Sequence, residues 1–121
     1  MTPFDDLAAI PTIGIWNGVV ARTVDGEQCS LAVVELDPNS VVAEHAHPNE
    51  QLGMVVRGSV SFRIGDEQRT LGPGGTWRIP PDTPHEVHVG EDGAVVIDVF
   101  APARGDWLEL LRSDARPPRW P

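Results

Sequence analysis

His45-Ala46-His47 is the first stretch of this 121-residue chain whose side chains suit a shared chemical task. In an extended strand, residues two apart lie on one face, so both imidazoles can turn inward while Glu44 and Ala46 turn away. Two converging neutral imidazoles suit zinc, iron, nickel, cobalt or copper. An isolated His-x-His is more often a pair of solvated histidines, so the surroundings decide. Gln51 follows a Pro48-Asn49-Glu50 turn and opens a new apolar strand, and Gly58 begins the next turn. Gln51 and Glu50 are alternative oxygen donors; strand neighbours face opposite ways, so only one of them can join the histidines. Further on, Gly74, Pro80 and His85 form a second block. His88, three residues after His85, has the wrong parity to share its face and is expected to be a non-ligand.

A second group of candidates lies near the end. Asp98 interrupts the apolar run 94–100, and a buried carboxylate is costly unless it is paired or functional. Asp98 and Phe100 share parity, so both can face one cavity. Arg104 comes after Ala101-Pro102-Ala103, where a loop can fold its guanidinium over the cavity mouth to hold a carboxylate. Two readings stand side by side: a proton-transfer group with an anion holder, or a structural ion pair.

The elements that must position these residues are strands. Asp25-Gly26, Asp37-Pro38-Asn39-Ser40, Gly65-Asp66, Gly72-Pro73-Gly74-Gly75, Pro80-Pro81-Asp82 and Asp92-Gly93 cut the chain into short runs rich in Val, Ile and Phe. Turn signals at this spacing predict an all-β sandwich or barrel in a single domain. Residues 1–12 read as an N-terminal arm and 113–121 as a tail rich in Pro, Arg and Trp. One turn of helix is expected over 107–111 with Asp106 as its cap. Val33-Val34, Val55-Val56 and Val95-Val96-Ile97 are apolar at consecutive positions, as in strands covered on both faces. The outer cover is expected to be a second sheet or a second subunit, hence a homodimer.

Composition narrows the partners. Eighteen acidic residues face nine basic ones, all arginine, for a net charge of −9. Such a surface repels nucleic acid and anionic membranes; an anionic small-molecule substrate would need a local cation, either a metal or an Arg. No apolar run approaches the ~20 residues of a membrane span. Residues 1–11 lack the basic start of a signal peptide and already contain Asp5 and Asp6. The single Cys29 has no partner for an internal disulfide, which fits a reducing compartment. Together these features suggest a soluble, cytoplasmic protein. Cys29 is read as a small buried hydrophobe, and Trp16, Trp77 and Trp107 as core residues.

At these positions the sequence resembles the cupin family. His45, His47 and Gly58 match the first cupin motif, with Gln51 at its Glu position and Asn39 where its opening Gly would stand. Gly74, Pro80 and His85 match the second, with Asp82 in place of a Gly and Val89 in place of an Asn. The resemblance implies a double-stranded β-helix, or jelly roll, around one divalent ion (Zn, Fe, Ni, Mn or Co). More narrowly, residues 45–58 and the element Asp98-Val99-Phe100-Ala101-Pro102-Ala103-Arg104 are similar to the KdgF group of pectin-degradation cupins. That resemblance implies ring opening of 4,5-unsaturated uronates to linear keto sugars. Its metal ligands would be His45, His47, Gln51 and His85, its acid/base Asp98, with Phe100 and Arg104 holding the sugar. A neutral Gln in place of a carboxylate leaves more positive charge on the ion and makes it a stronger Lewis acid. A non-haem iron dioxygenase or a biosynthetic cyclase is the alternative chemistry, and a non-catalytic ligand-binding cupin the alternative class; oxygen uptake and substrate turnover separate them.

Overall fold

The Gly, Pro and Asp punctuation divides the described residues, 2–121 of the computed structural model, into nine strands. They are β1 (Thr12–Trp16), β2 (Val19–Asp25), β3 (Ser30–Leu36), β4 (Val41–His45), β5 (Glu50–Ile64), β6 (Glu67–Leu71), β7 (Thr76–Ile79), β8 (His85–Ala101) and β9 (Arg112–Ser113). All pairings are antiparallel, in the order β6-β5-β8-β3-β2-β1-β9, with β4 also on β8 and β7 also on β5. Two 3-10 helices, Leu7–Ala9 and Gly105–Glu109, complete the secondary structure. Among the described residues no helix is long and apolar enough to cross a membrane.

The long strands β5 and β8 make the architecture. They pair from Glu50↔Ala101 to Ile64↔His85, with register shifts on either side of Gly58. Before the bend, β5 carries β7 on its free edge and β8 carries β3; beyond it, β5 carries β6 and β8 carries β4. One ribbon therefore serves two facing layers, which is the jelly-roll arrangement. Gly58 sits at the bend with φ +76°, and a Cβ there would collide with the Gly93 carbonyl. The inward side chains of the two layers, among them Ala32, Val34, Val55, Val60, Phe62, Val87, Val89 and Val96, form one buried cluster. Each such Val or Phe contributes roughly 1.5–3 kcal/mol on leaving water.

Three expectations change. The helix begins earlier than expected: Arg104 occupies the cap position of Gly105–Glu109, and Asp106 lies inside the first turn. No side chain caps this helix; the Asp106 carboxylate takes the Arg104 guanidinium instead. Cys29 is exposed rather than buried, because it lies in the β2–β3 turn, where its carbonyl accepts the Gly26 N–H at 2.8 Å. The outer face beside Val33 and Val95 is in part held by the chain's own C-terminal segment, which bonds to their cross-strand partners Arg22 and Glu35. Arg22 of β2 donates to the Arg116 carbonyl, and Glu35 of β3 accepts the Arg119 N–H. Of the stretches read as arm and tail, the first hands over to β1 at Thr12, and the second starts with Ser113 paired in β9; residue 1 lies outside the described residues.

Candidate metal centre

His45 ends β4, His85 starts β8, and the two stand opposite each other in the ladder, so backbone pairing alone brings their rings together. His47 follows in the loop that leads into β5. Its backbone carbonyl accepts the Asp82 N–H at 2.8 Å, which pins that loop to the β7–β8 turn. The ring centroids of His45 and His85 are 4.2 Å apart, and those of His47 and His85 are 4.9 Å apart. One ligand atom from each of the three histidines falls within 4.8 Å of the others. Gln51, one residue into β5, is buried beside them with its Oε1 at 3.0 Å from His47 Nε2. Glu50 points outward and is exposed, and so is His88.

Hydrogen bonding decides what these rings offer. Each histidine places Nδ1 against a backbone carbonyl: His45 on Ala43 at 2.9 Å, His47 on Asn49 at 3.0 Å, His85 on Thr83 at 2.8 Å. A carbonyl only accepts, so each Nδ1 carries the proton and each Nε2 presents a lone pair. Burial pushes the pKa of His85 down to about 4 and lowers that of His47, so these rings are neutral near pH 7. Gln51 donates its Nε2 to Asp98 at 2.9 Å, which turns Oε1 toward His47. Two acceptors thus face each other at 3.0 Å with no proton between them. A divalent cation would resolve that repulsion, and three imidazoles with one amide oxygen form a donor set such ions accept. The residues present fit a metal.

The rest of the cavity is built from the far end of β8 and the helix after it. Asp98 and Phe100 face inward beside Gln51, as their parity requires. Asp98 Oδ1 accepts from both Gln51 Nε2 and Trp77 Nε1, each at 2.9 Å, while Oδ2 has no partner among the described residues. Burial pushes the Asp98 pKa up to about 6, against the two hydrogen bonds and the nearby Arg104. Arg104 is buried and pairs with Asp106, not Asp98: its Nε and Nη2 donate to the two carboxylate oxygens at 2.9 and 2.8 Å. Those bonds hold the Asp106 pKa below the usual range. The guanidinium stacks on Phe100 and Trp107 at 4.7 and 4.3 Å, and Nη1 keeps no protein partner. Its loop is fixed by Ser30 on the Arg104 N–H and by Asn49 on the Pro102 carbonyl.

Of the seven residues singled out from the sequence, His45, Gln51, His85, Asp98, Phe100 and Arg104 line this one cavity, and His47 adjoins it with its ring 4.9 Å from His85 and 5.7 Å from Phe100. The reading of the tryptophans as core holds for Trp77 and Trp107, which are buried in the main cluster, and fails for Trp16, which is 41% exposed; what the sequence did not show is that all three border the site. Trp16 lies 5.1 Å from His45, Trp77 binds Asp98, and Trp107 carries Arg104. A signal existed for Trp77, which has the same parity in β7 as the inward Ile79. Gly53 was missed as well, and nothing in its immediate sequence marks it.

Comparison with known proteins agrees with this fold. The family model for the cupin domain (Cupin_2) matches residues 32–100. The pectin degradation protein KdgF of Dickeya dadantii (strain 3937) is 30% identical over 108 residues, covering 88% of this chain and 92% of that protein. The structure of KdgF from Halomonas sp. superposes with a TM-score of 0.73 at 28% identity, over 78% of this chain and 88% of that one. An RmlC-like cupin from Shewanella frigidimarina shares the fold at TM-score 0.81 and 22% identity, over 88% of this chain and 96% of that one. The match of the family model across the strands that carry the histidines, and a relative aligned nearly end to end, make this chain a member of the cupin domain family.

Proposed function

We propose that this cupin is a metal-dependent isomerase that opens 4,5-unsaturated uronates to linear keto sugars, acting in the cytoplasm as a homodimer. The observation that carries the reading is one cavity in which three bare imidazole nitrogens, an unpartnered carboxylate oxygen of Asp98 and a free guanidinium edge of Arg104 converge. The KdgF relatives supply the substrate class.

In such a sugar the ring oxygen joins C1, which bears a hydroxyl, to C5 of a C4=C5 double bond. Opening removes the C1 hydroxyl proton and breaks the C1–O bond, leaving an aldehyde at C1 and an enolate across O, C5 and C4. A proton delivered to C4 completes a ketone at C5. Nothing is oxidised and no water is consumed, so one group that takes a proton and returns it is sufficient. Asp98 Oδ2 is that group, poised near its working range by burial. Arg104 Nη1 holds the uronate carboxylate, with the guanidinium kept in plane by Asp106. Phe100 and Trp107 wall the site and exclude water. His45, His47, Gln51 and His85 would hold a divalent cation, which would supply positive charge to offset the negative charge that develops on the substrate.

Loss of ultraviolet absorbance from an unsaturated uronate tests the reading. The metal-loaded protein is expected to turn it over without oxygen uptake. Asp98→Asn is expected to lower kcat by at least about 100-fold while keeping one equivalent of metal. Full activity in Asp98→Asn overturns the acid/base assignment, and stoichiometric oxygen uptake replaces isomerase with dioxygenase.

A further inference from the structure

Cross-strand register places Asp98 of β8, Gly53 of β5 and Trp77 of β7 in one row, Asp98↔Gly53↔Trp77. The middle member has no side chain, and the two outer ones meet above it: Trp77 Nε1 donates to Asp98 Oδ1 at 2.9 Å. A Cβ on Gly53 would run into both of those atoms. Nothing about the Gly53 backbone demands glycine, since its φ lies outside the left-handed region. The space above it does.

That hydrogen bond has a consequence two steps away. An amide group presents either its oxygen or its NH2 in a given direction, and its partners choose which. Gln51 is oriented because Asp98 Oδ1 can only accept, so the NH2 must point at it and Oε1 must point at His47. Asp98 in turn cannot rotate freely while Oδ1 is held by the indole of Trp77. The relay runs Trp77 N–H to Asp98 Oδ1, Gln51 NH2 to the same oxygen, and Gln51 Oε1 to the histidine cluster.

We propose that Gly53 and Trp77 are positioning residues, which act through Asp98 to fix the Gln51 amide with its oxygen toward the metal. The inference rests on the metal reading above, and it gives Asp98 a role separate from proton transfer. Without the relay Gln51 can turn its NH2 inward, where it is no ligand and repels a cation. Outer partners of this kind change metal affinity by roughly 10–100-fold.

The experiment is a calorimetric titration of metal-free protein with Co2+, alongside the visible Co2+ spectrum and the melting temperature of each variant. Trp77→Phe keeps the ring and loses only the N–H, and Gly53→Ala inserts the missing Cβ. Both are expected to weaken Co2+ binding by roughly 10–100-fold and to shift the spectrum through loss of one oxygen ligand. Asp98→Asn and Asp98→Leu remove the same charge, but only Asn retains an oxygen that accepts from both donors. The Asn variant is expected to bind Co2+ at least about tenfold more tightly than the Leu variant. Equal affinity in these two folded variants overturns the relay. If the unaltered protein binds no Co2+, the metal reading fails and the relay with it. Tight binding by the unaltered protein with equal Asn and Leu variants removes the relay alone.

Discussion

Asp98 differs from most buried carboxylates in having no cationic partner in contact. Burial raises its pKa from 3.8 to about 6. In the metal-free protein the unfolded chain therefore releases this proton at a lower pH than the folded one. Below about pH 4 both states hold the proton and Asp98 costs nothing; as pH climbs to 6 and beyond, ionisation costs the folded state up to roughly 3 kcal/mol. A salt-bridged carboxylate behaves in the opposite way. In urea denaturation with a chelator present, Asp98→Asn should gain stability relative to the unaltered protein between pH 4 and pH 7; an unchanged difference at the two pH values contradicts the account. The candidate ligands were legible in the sequence: strand parity sets His88 apart from His85 and allows only one of Glu50 and Gln51 to face the histidines, and the motif spacing selects Gln51. Trp77 and Gly53 were less so, because a tryptophan in a short strand reads as core until the fold sets Asp98 of β8 across Gly53 from it as an acceptor for its N–H.

At the scale of elements, two departures from the family motif explain each other. Asn39 stands where a cupin opens its first motif with glycine, and Asp82 where the second has one. Both have left-handed backbones, φ 60° and 61°. Among residues with a side chain, Asn and Asp tolerate that region best, so the turns keep their shape without glycine. Asp82→Gly should leave the melting temperature unchanged or higher, while Asp82→Val should cost about 1–2 kcal/mol and, because the Asp82 N–H holds the His47 carbonyl, weaken metal binding too. Equal stability of the two variants contradicts this. Turns were readable because their chemistry is local. The full length of β5 and β8 was not, because Gly58 and Asp92-Gly93 look like breaks; the ladder instead continues through the bend. The helix after Arg104 was misplaced for a related reason: Asp106 is a good cap by type, but a guanidinium two residues earlier competes for its carboxylate.

At the scale of the whole molecule, the C-terminal segment closes over a buried charge. The side chains of Arg22 and Glu35 are 0% and 2% exposed and meet at 2.6 Å. Arg22 also donates to the Arg116 carbonyl, and Glu35 also accepts from the Arg119 N–H. Arg119 is further tied to Asp37 at 2.8 Å and through its carbonyl to Arg57. Removing one partner of a buried pair strands the other, so Glu35→Ala should lose about 3–5 kcal/mol in urea denaturation. Truncation after Ser113 should lose less, about 1–3 kcal/mol for the two hydrogen bonds to the buried pair, the exposed ties of Arg119 adding little; an unchanged midpoint in either variant contradicts the role given to the tail. The sequence showed that the outer face needed a cover, but not which one, because a proline-rich segment carries no periodicity to place it. Val24, Leu31, Leu52 and Met54 stay exposed on that side, with Leu31↔Val99↔Leu52 in one cross-strand row. If they form the homodimer face, light scattering will report twice the 13.1 kDa chain mass, and Leu31→Glu with Leu52→Glu will return it to the monomer; a monomer from the start removes the dimer.

The central claim is that four side chains from β4, the loop after it, β5 and β8 hold one divalent cation. Anomalous diffraction at the cobalt edge from Co2+-soaked crystals tests it most directly. The account predicts a single peak about 2.1 Å from Nε2 of His45, His47 and His85 and from Oε1 of Gln51. No peak inside the barrel, or one bound through other side chains, contradicts it.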